Sequence, residues 1–283
     1  MNLAFFAAVL LFSMFNMHPV CLGISLVCSL SNALYLSGRK AAMLSLKFLL
    51  PAALFIVIIN PVLNHQGVTI IKYLPWGNPL TLESVVYGFA SAAMLCAVVL
   101  WFSCWNRVMT SDKLMYLFGK ISPSLSLVLS MALRFVPRFF AEMKQVRQAM
   151  NQMSGEKKSL TARFKGGLRV LSVMVSRSME GSIETADSMK SRGYGLKGRT
   201  SFSLYHFTSK DLAVLLAVLL ETAVLIAIML FGKLKFRYFP SIKGTVPDVF
   251  TVAFYLIYGA LMLTPLILNV KEGLQWKRLQ SKI

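Results

Sequence analysis

No charged side chain occurs in the first 36 residues, and four later runs, 41–62, 82–105, 211–231 and 248–270, are almost as free of charge. A helix of about 20 mostly apolar residues crosses a hydrocarbon core of about 30 Å, and lipid tolerates only backbone whose hydrogen bonds are met internally. These stretches restrict the chain to an all-α, polytopic integral membrane protein with about five to six transmembrane helices. The charges inside or beside the four later runs are few: Lys47, Glu83, Asp211 at an edge and Glu221 within a span. As one straight helix the first 36 residues would extend roughly 54 Å, well beyond the bilayer core. Asn16-Met17-His18-Pro19 is the expected break, giving two short spans or a span and a re-entrant piece. No basic segment precedes the first apolar run, so a retained membrane segment is expected there, not a cleaved leader.

Composition narrows the class further. Of 283 residues, 56% are hydrophobic and 14% are charged, with 30 Lys+Arg against 11 Asp+Glu and a net charge of +19. A soluble domain carries about 25% charged residues, and a disordered basic chain lacks this apolar content. Nucleic acid and membrane are the rival partners for such a charge, and its placement decides between them. Arg39, Lys40, Arg107, Lys113 and Lys120 mark two loops as cytoplasmic, while loop 61–81, with Lys72 alone, reads as external. Residues 137–200 hold 13 of the 30 basic residues, and Lys271, Lys277, Arg278 and Lys282 give a basic tail, so both segments are expected on the cytoplasmic side. Loop 232–247, with Lys233, Lys235, Arg237 and Lys243, runs against that rule. The distribution points to lipid headgroups and excludes nucleic acid as the partner.

Little suggests chemistry performed by the chain itself. Cys21, Cys28, Cys96 and Cys104 lie in apolar runs without a CxxC pair and read as small buried hydrophobes. His18, His65 and His206 are far apart, so no metal site and no catalytic residue is expected. Gly119-Lys120 and Gly232-Lys233 lack the upstream glycine and the following Ser/Thr of a phosphate-binding loop. The chain therefore does not hydrolyse ATP. It also lacks a matched pair of interrupted helices in two halves, the mark of many secondary transporters.

Between about 121 and 200 the pattern becomes amphipathic. After Pro137, Phe139, Met143, Val146, Met150 and Met153 recur at steps of 4, 3, 4 and 3, one stripe of a helix. Leu168, Leu171, Val175, Met179, Ile183 and Ala186 predict a second helix, ending where Gly193 and Gly195 offer left-handed or open backbone. Residues 154–165 connect the two. Two such helices can lie in the lipid interface, close one end of the bundle, or dock into a soluble partner. Glu180, Glu184 and Asp187 share one face and can pair with Arg177 or Lys190 or meet a partner's basic patch. Glu221, an intramembrane carboxylate, is a functional candidate by default.

Specific motifs carry a family resemblance. Ser130-Met131-Ala132-Leu133-Arg134-Phe135-Val136-Pro137-Arg138-Phe139, Gln145-Val146-Arg147-Gln148 and Ala186-Asp187-Ser188-Met189-Lys190-Ser191-Arg192-Gly193-Tyr194-Gly195 resemble the transmembrane T component of energy-coupling factor (ECF) importers. Asn64-His65-Gln66-Gly67, Gly77-Asn78-Pro79 and Thr110-Ser111-Asp112-Lys113 extend the resemblance over about residues 15–270. It implies two X-Arg-X docking motifs at the ends of coupling helices, matched by Val146-Arg147-Gln148 and Ser191-Arg192-Gly193. The second matches in its full Met-x-x-Arg-Gly-Tyr-Gly context; the first departs from Ala-Arg-Gly through the larger Val146 and Gln148. Each arginine is implied to sit in a groove of one of two ATP-binding-cassette ATPases, the A components, where its planar fork suits bidentate contacts.

The resemblance thus implies a non-catalytic scaffold in a prokaryotic plasma membrane, joining two ATPases to a small membrane-embedded substrate-binding S component for vitamin or metal-ion uptake. ATP and Mg would be held by the ATPases and no cofactor by this chain. Glu180, Glu184, Asp187 and Tyr194 are candidate partner contacts, with local pairing to Arg177 or Lys190 the alternative for the three carboxylates. The expected organisation is N-terminal transmembrane helices over 1–120, a coupling-helix domain over 121–208, and a C-terminal hairpin with basic tail over 209–283. The rival from another class is a self-sufficient ion- or proton-coupled transporter centred on Glu221.

Overall fold

The computed structural model describes residues 1–73, 79–154, 159–194, 196, 207–231, 236–244 and 248–281. Gly77, Asn78, Lys157, Lys158, Gly195, His206, Lys233 and Lys235 lie outside that set, as do the side chains of Arg39, Lys40, Lys120 and Met153. In chain order come α1 (Asn2–Phe15), α2 (Pro19–Leu63), a short antiparallel pair β1 (Ile70–Tyr73) and β2 (Pro79–Thr81), then α3 (Leu82–Val108) and α4 (Ser111–Ile121). They are followed by α5 (Pro123–Ser154), α6 (Leu160–Ser191), α7 (Ser209–Leu230) and α8 (Val249–Gln280).

Among the described residues, six helical stretches are long and apolar enough to cross a membrane: Pro19–Gly38, Ser45–Leu63, Leu82–Val108, Ser124–Gln152, Ser209–Leu230 and Val249–Gln280. The chain is an all-α, multi-pass membrane protein. Each of the four apolar runs read from the sequence coincides with one of these helices. The break at Asn16–His18 is present as well. α1 ends at Phe15, Pro19 opens α2, and the His18 ring accepts the Val20 N–H at 3.4 Å. α2 is itself kinked at Gly38.

The chain divides into two compact units, Met1–Thr110 with Phe207–Ile283, and Ser111–His206. The first is built around a main core drawn from α1, α2, α3, α7 and α8, including Phe6, Val9, Cys28, Trp101, Leu225 and Phe254, beside a smaller cluster of Leu22, Ala90 and Tyr238. The cysteines are the small hydrophobes expected: all are free thiols, with Cys21, Cys28 and Cys104 buried. Trp101 is fully buried, edge-on to Phe5 and Phe6, and its indole N–H donates to Ser25 Oγ at 3.2 Å. Ser13 Oγ lies 3.0 Å from Ser25 Oγ, so the polar groups at this depth satisfy one another.

The strand pair is an addition to the sequence reading. Glu83, which reads in the sequence as a charge at the edge of a span, is buried and fastens this loop: its carboxylate accepts the Thr69 N–H at 3.2 Å and the Thr69 hydroxyl at 2.8 Å. Gly67 permits the closure, since a Cβ there would stand 2.6 Å from Glu83 Oε2 and 2.7 Å from Thr81. Both later spans start at reciprocal caps, Thr208 with Asp211 for α7 and Asp248 with Thr251 for α8.

In the second unit both long helices differ from their expected limits. α5 starts at Pro123 and runs through Pro137, the residue after which the apolar stripe places its beginning. Pro137 lacks an N–H and removes one intrahelical bond, a loss a 32-residue helix absorbs locally. α6 begins at Leu160, eight residues before the first residue of its predicted stripe.

Candidate functional site

Arg192 closes α6 as its C-cap residue. Beyond it Gly193 takes φ +75°, the Gly193 N–H donates to Lys190 O at 3.0 Å, and the Tyr194 N–H donates to Met189 O at 3.1 Å. This pair of backward bonds is a Schellman motif, and it needs a left-handed residue after the cap, which glycine supplies without Cβ strain. The sequence expectation of a glycine-terminated helix is met at Gly193. Ser191 adds a bond from its hydroxyl to Ser188 O at 2.8 Å. The motif fixes the backbone of Arg192 while its side chain remains exposed. That is a rigidly mounted, solvent-facing guanidinium at the tip of a long helix.

Gly193→Val tests the mount. A side chain in the left-handed region costs about 1–2 kcal/mol, and a Cβ at this position would lie 3.1 Å from Leu196 Cδ1. Amide hydrogen exchange at residues 192 and 194 should accelerate roughly 5- to 30-fold, with the rest of α6 unchanged.

Arg147 is also exposed, as is Gln148, while Val146 is half-buried. Its position differs from the reading that put the motif at a helix end, because α5 continues for seven residues beyond it to Ser154. Neither arginine forms an ion pair with a described residue. Arg147 is not part of the surface around Arg192; it lies nine residues along α5 from Arg138, about 14 Å at helical rise.

Arg192 and Tyr194 line one side of a groove of about 620 Å³, with Glu184, Thr185, Ser188 and Met189 of α6; the facing wall, from α5, includes Arg134 and Arg138. A second, apolar groove lies between Phe139 and Met143 of α5 and residues 164–174 of α6. Met174 is the buried side chain there, at 1% exposure. The predicted α6 stripe is largely open, with Leu168, Leu171, Val175, Met179 and Ile183 between 51% and 66% exposed. Steps of four residues advance 400° around a 3.6-residue helix, so such a stripe drifts away from a packing line passing through Met174.

Glu180, Glu184 and Asp187 are exposed, and among the described residues none pairs with Arg177 or Lys190. Tyr194 is half-buried. Glu221 is on the inward side of α7, one turn from buried Val218 and Leu225, and its Oε2 is buried without a hydrogen-bond partner among the described residues. It belongs to the first compact unit, whereas both arginines belong to the second. The sequence reading passed over Glu83 and Trp101. Glu83 could be suspected from a carboxylate two residues after the cap residue Thr81, in the first turn of a helix, but Trp101 carries no local signal.

The family described as CbiQ, cobalt transport protein, matches residues 1–202. A similar protein is the energy-coupling factor transporter transmembrane protein EcfT of Bacillus selenitireducens, 34% identical over 109 residues, covering 36% of this chain and 40% of the relative. The protein of the same description from Lactobacillus helveticus is 31% identical over 105 residues, covering 36% of this chain and 38% of the relative. The matched segments thus span well under half the length of these relatives. Six helices among the described residues are long and apolar enough to cross a membrane, the family match covers residues 1–202, and the chain belongs to the CbiQ cobalt transport protein family.

Proposed function

We propose that the chain is the transmembrane energy-coupling component of an ECF-type importer. It binds two cytoplasmic ATPases through Arg147 and Arg192 and passes their movement to a small membrane-embedded protein that carries a vitamin or metal ion. The observation that carries this reading is the mount of Arg192: an exposed guanidinium on a capped helix terminus, within the Met189-x-x-Arg192-Gly193-Tyr194-Gly195 motif. A coupling element needs a rigid lever and an anchor that holds throughout the stroke. Arginine is suited to the anchor because it is permanently charged and bonds carboxylates in a bidentate fork.

In this arrangement the second compact unit and the basic tail face the cytoplasm, where ATP and Mg are bound by the ATPases. The open apolar stripe on α6 is the face assigned to the substrate-binding protein; it offers a continuous apolar strip that α5 does not cover. Exposed Glu180, Glu184 and Asp187 are then available to basic groups of a partner.

Isolation of the full chain in mild detergent from its native membrane tests the reading. The expected result is co-purification of two ATP-binding-cassette subunits and one small hydrophobic protein, whose bound ligand identifies the substrate. Recovery of the chain alone under conditions that preserve other membrane complexes contradicts it.

A further inference from the structure

The groove beside Arg192 has a second property that ATPase docking leaves unexplained. Residues 123–141 of α5 are free of charge except for Arg134 and Arg138, and no acidic residue precedes Glu142. The apolar window of α5 is hydrophobic enough to cross a membrane, yet none of it is buried within the chain. An arginine in such a helix is costly in lipid unless it meets an anion or reaches the headgroup layer.

The groove is lined by three arginines, Arg134, Arg138 and Arg192, and by one acidic residue, Glu184. Arg138 contacts Glu142 through Nε at 2.8 Å, which leaves its terminal nitrogens uncommitted to that bond. Among the described residues no ion pair joins Glu184 to Arg134 or Arg192. Ser130 and Ser188 bring hydroxyls to the same walls, the Thr185 hydroxyl being donated to Gly181 O at 2.6 Å, while Leu127, Met131 and Phe135 make the adjoining surface apolar. The groove is therefore cationic and hydroxyl-lined, and it borders on an apolar helix surface. Guanidinium forks with hydroxyl donors match the oxygens of a phosphate ester, and the apolar border matches the glycerol and acyl portion attached to it.

We propose that this groove binds the phosphate of an anionic phospholipid headgroup, with Arg134 and Arg138 as its principal ligands. The lipid would anchor α5 at the headgroup layer and neutralise the charge facing Arg192. The chemistry that recognises it, a phosphate monoanion or dianion, is shared with free phosphate; the acyl portion distinguishes the two. The site is independent of the ATPase reading, since the lipid is bound by this chain alone.

The test measures the thermal unfolding midpoint of the purified full chain in mild detergent, without ATPases, against added short-chain phosphatidylglycerol, short-chain phosphatidylcholine or inorganic phosphate. Phosphatidylglycerol should raise the midpoint in a saturable way, with phosphatidylcholine and inorganic phosphate far weaker. Arg134→Gln with Arg138→Gln should weaken the apparent phosphatidylglycerol affinity roughly tenfold or more through loss of charge-assisted bonds. Glu184→Gln should strengthen it about two- to fivefold by removing the groove's own carboxylate. These opposite directions keep a misfolded variant from imitating the result. Wild-type affinity in the double arginine variant, unchanged or weaker affinity in Glu184→Gln, or equal responses to phosphatidylglycerol and phosphatidylcholine would each overturn the proposal. Equal potency of inorganic phosphate would overturn the lipid assignment.

Discussion

Arg147→Glu combined with Arg192→Glu is expected to remove both ATPases from the detergent-purified complex while the chain remains inserted in the membrane. Truncating one member of a buried, hydrogen-bonded charge pair costs about 2–5 kcal/mol, largely because the other charge is left stranded. That corresponds to roughly thirtyfold to a few thousandfold in affinity, and reversal adds repulsion from the same partner group. Both side chains are exposed and neither forms an ion pair with a described residue, so the fold of this unit loses nothing with them. The single variants should differ. Arg192 is mounted on a Schellman cap at a helix tip, whereas Arg147 lies within a continuous helix beside the bulkier Val146 and Gln148. Arg192→Glu alone should therefore weaken association more than Arg147→Glu alone. Arginine-to-lysine at both sites should fall between wild type and the double reversal, because lysine retains the charge but not the bidentate fork.

Trp101→Ala should be the most damaging substitution in the membrane-spanning unit. The ring is fully buried and touches Phe5 and Phe6 of α1, and the indole N–H reaches across to Ser25 of α2. Removing a side chain of that size from a core costs about 3–5 kcal/mol, of which the cavity is a large part. At roughly 2–4 °C per kcal/mol for a chain of this size class, the unfolding midpoint in detergent should fall about 6–20 °C. Trp101→Phe keeps most of the volume and loses the hydrogen bond, worth about 1 kcal/mol. Equal destabilisation by the two substitutions would show that the bond to Ser25, and not packing, holds the three helices together.

The readability of the chain followed the range of the interactions involved. The spans, the break before Pro19 and the glycine cap at Gly193 are local: apolar length, a proline and a left-handed residue act on their own neighbours. Pro137 misled because a proline inside a long helix and a proline at its start leave the same mark in a sequence. α5 runs through it, with turns formed on both sides. β1 and β2 had too few residues for alternation to register, and their pairing depends on Glu83 reaching back to Thr69, a contact across 14 positions. The contact between α5 and α6 was legible only in outline. The stripes identify two amphipathic helices, but Met174, the side chain buried between them, lies off the predicted line. Glu221 stands out by residue type in an apolar span, and the two arginines by the motifs that hold them. The structure separates them: the carboxylate belongs to the spanning unit, and the arginines to the unit of α4, α5 and α6.

On the proposed function, this chain couples ATP hydrolysis in separate subunits to transport. Substrate uptake into proteoliposomes containing the whole purified complex tests it most directly, comparing ATP supplied to the ATPases with an imposed proton gradient. Uptake should require ATP, persist when the proton gradient is collapsed, and disappear with Arg147→Glu and Arg192→Glu. Uptake that survives removal of the ATPases, collapses with the proton gradient and falls with Glu221→Gln would contradict that coupling and establish a self-sufficient transporter instead.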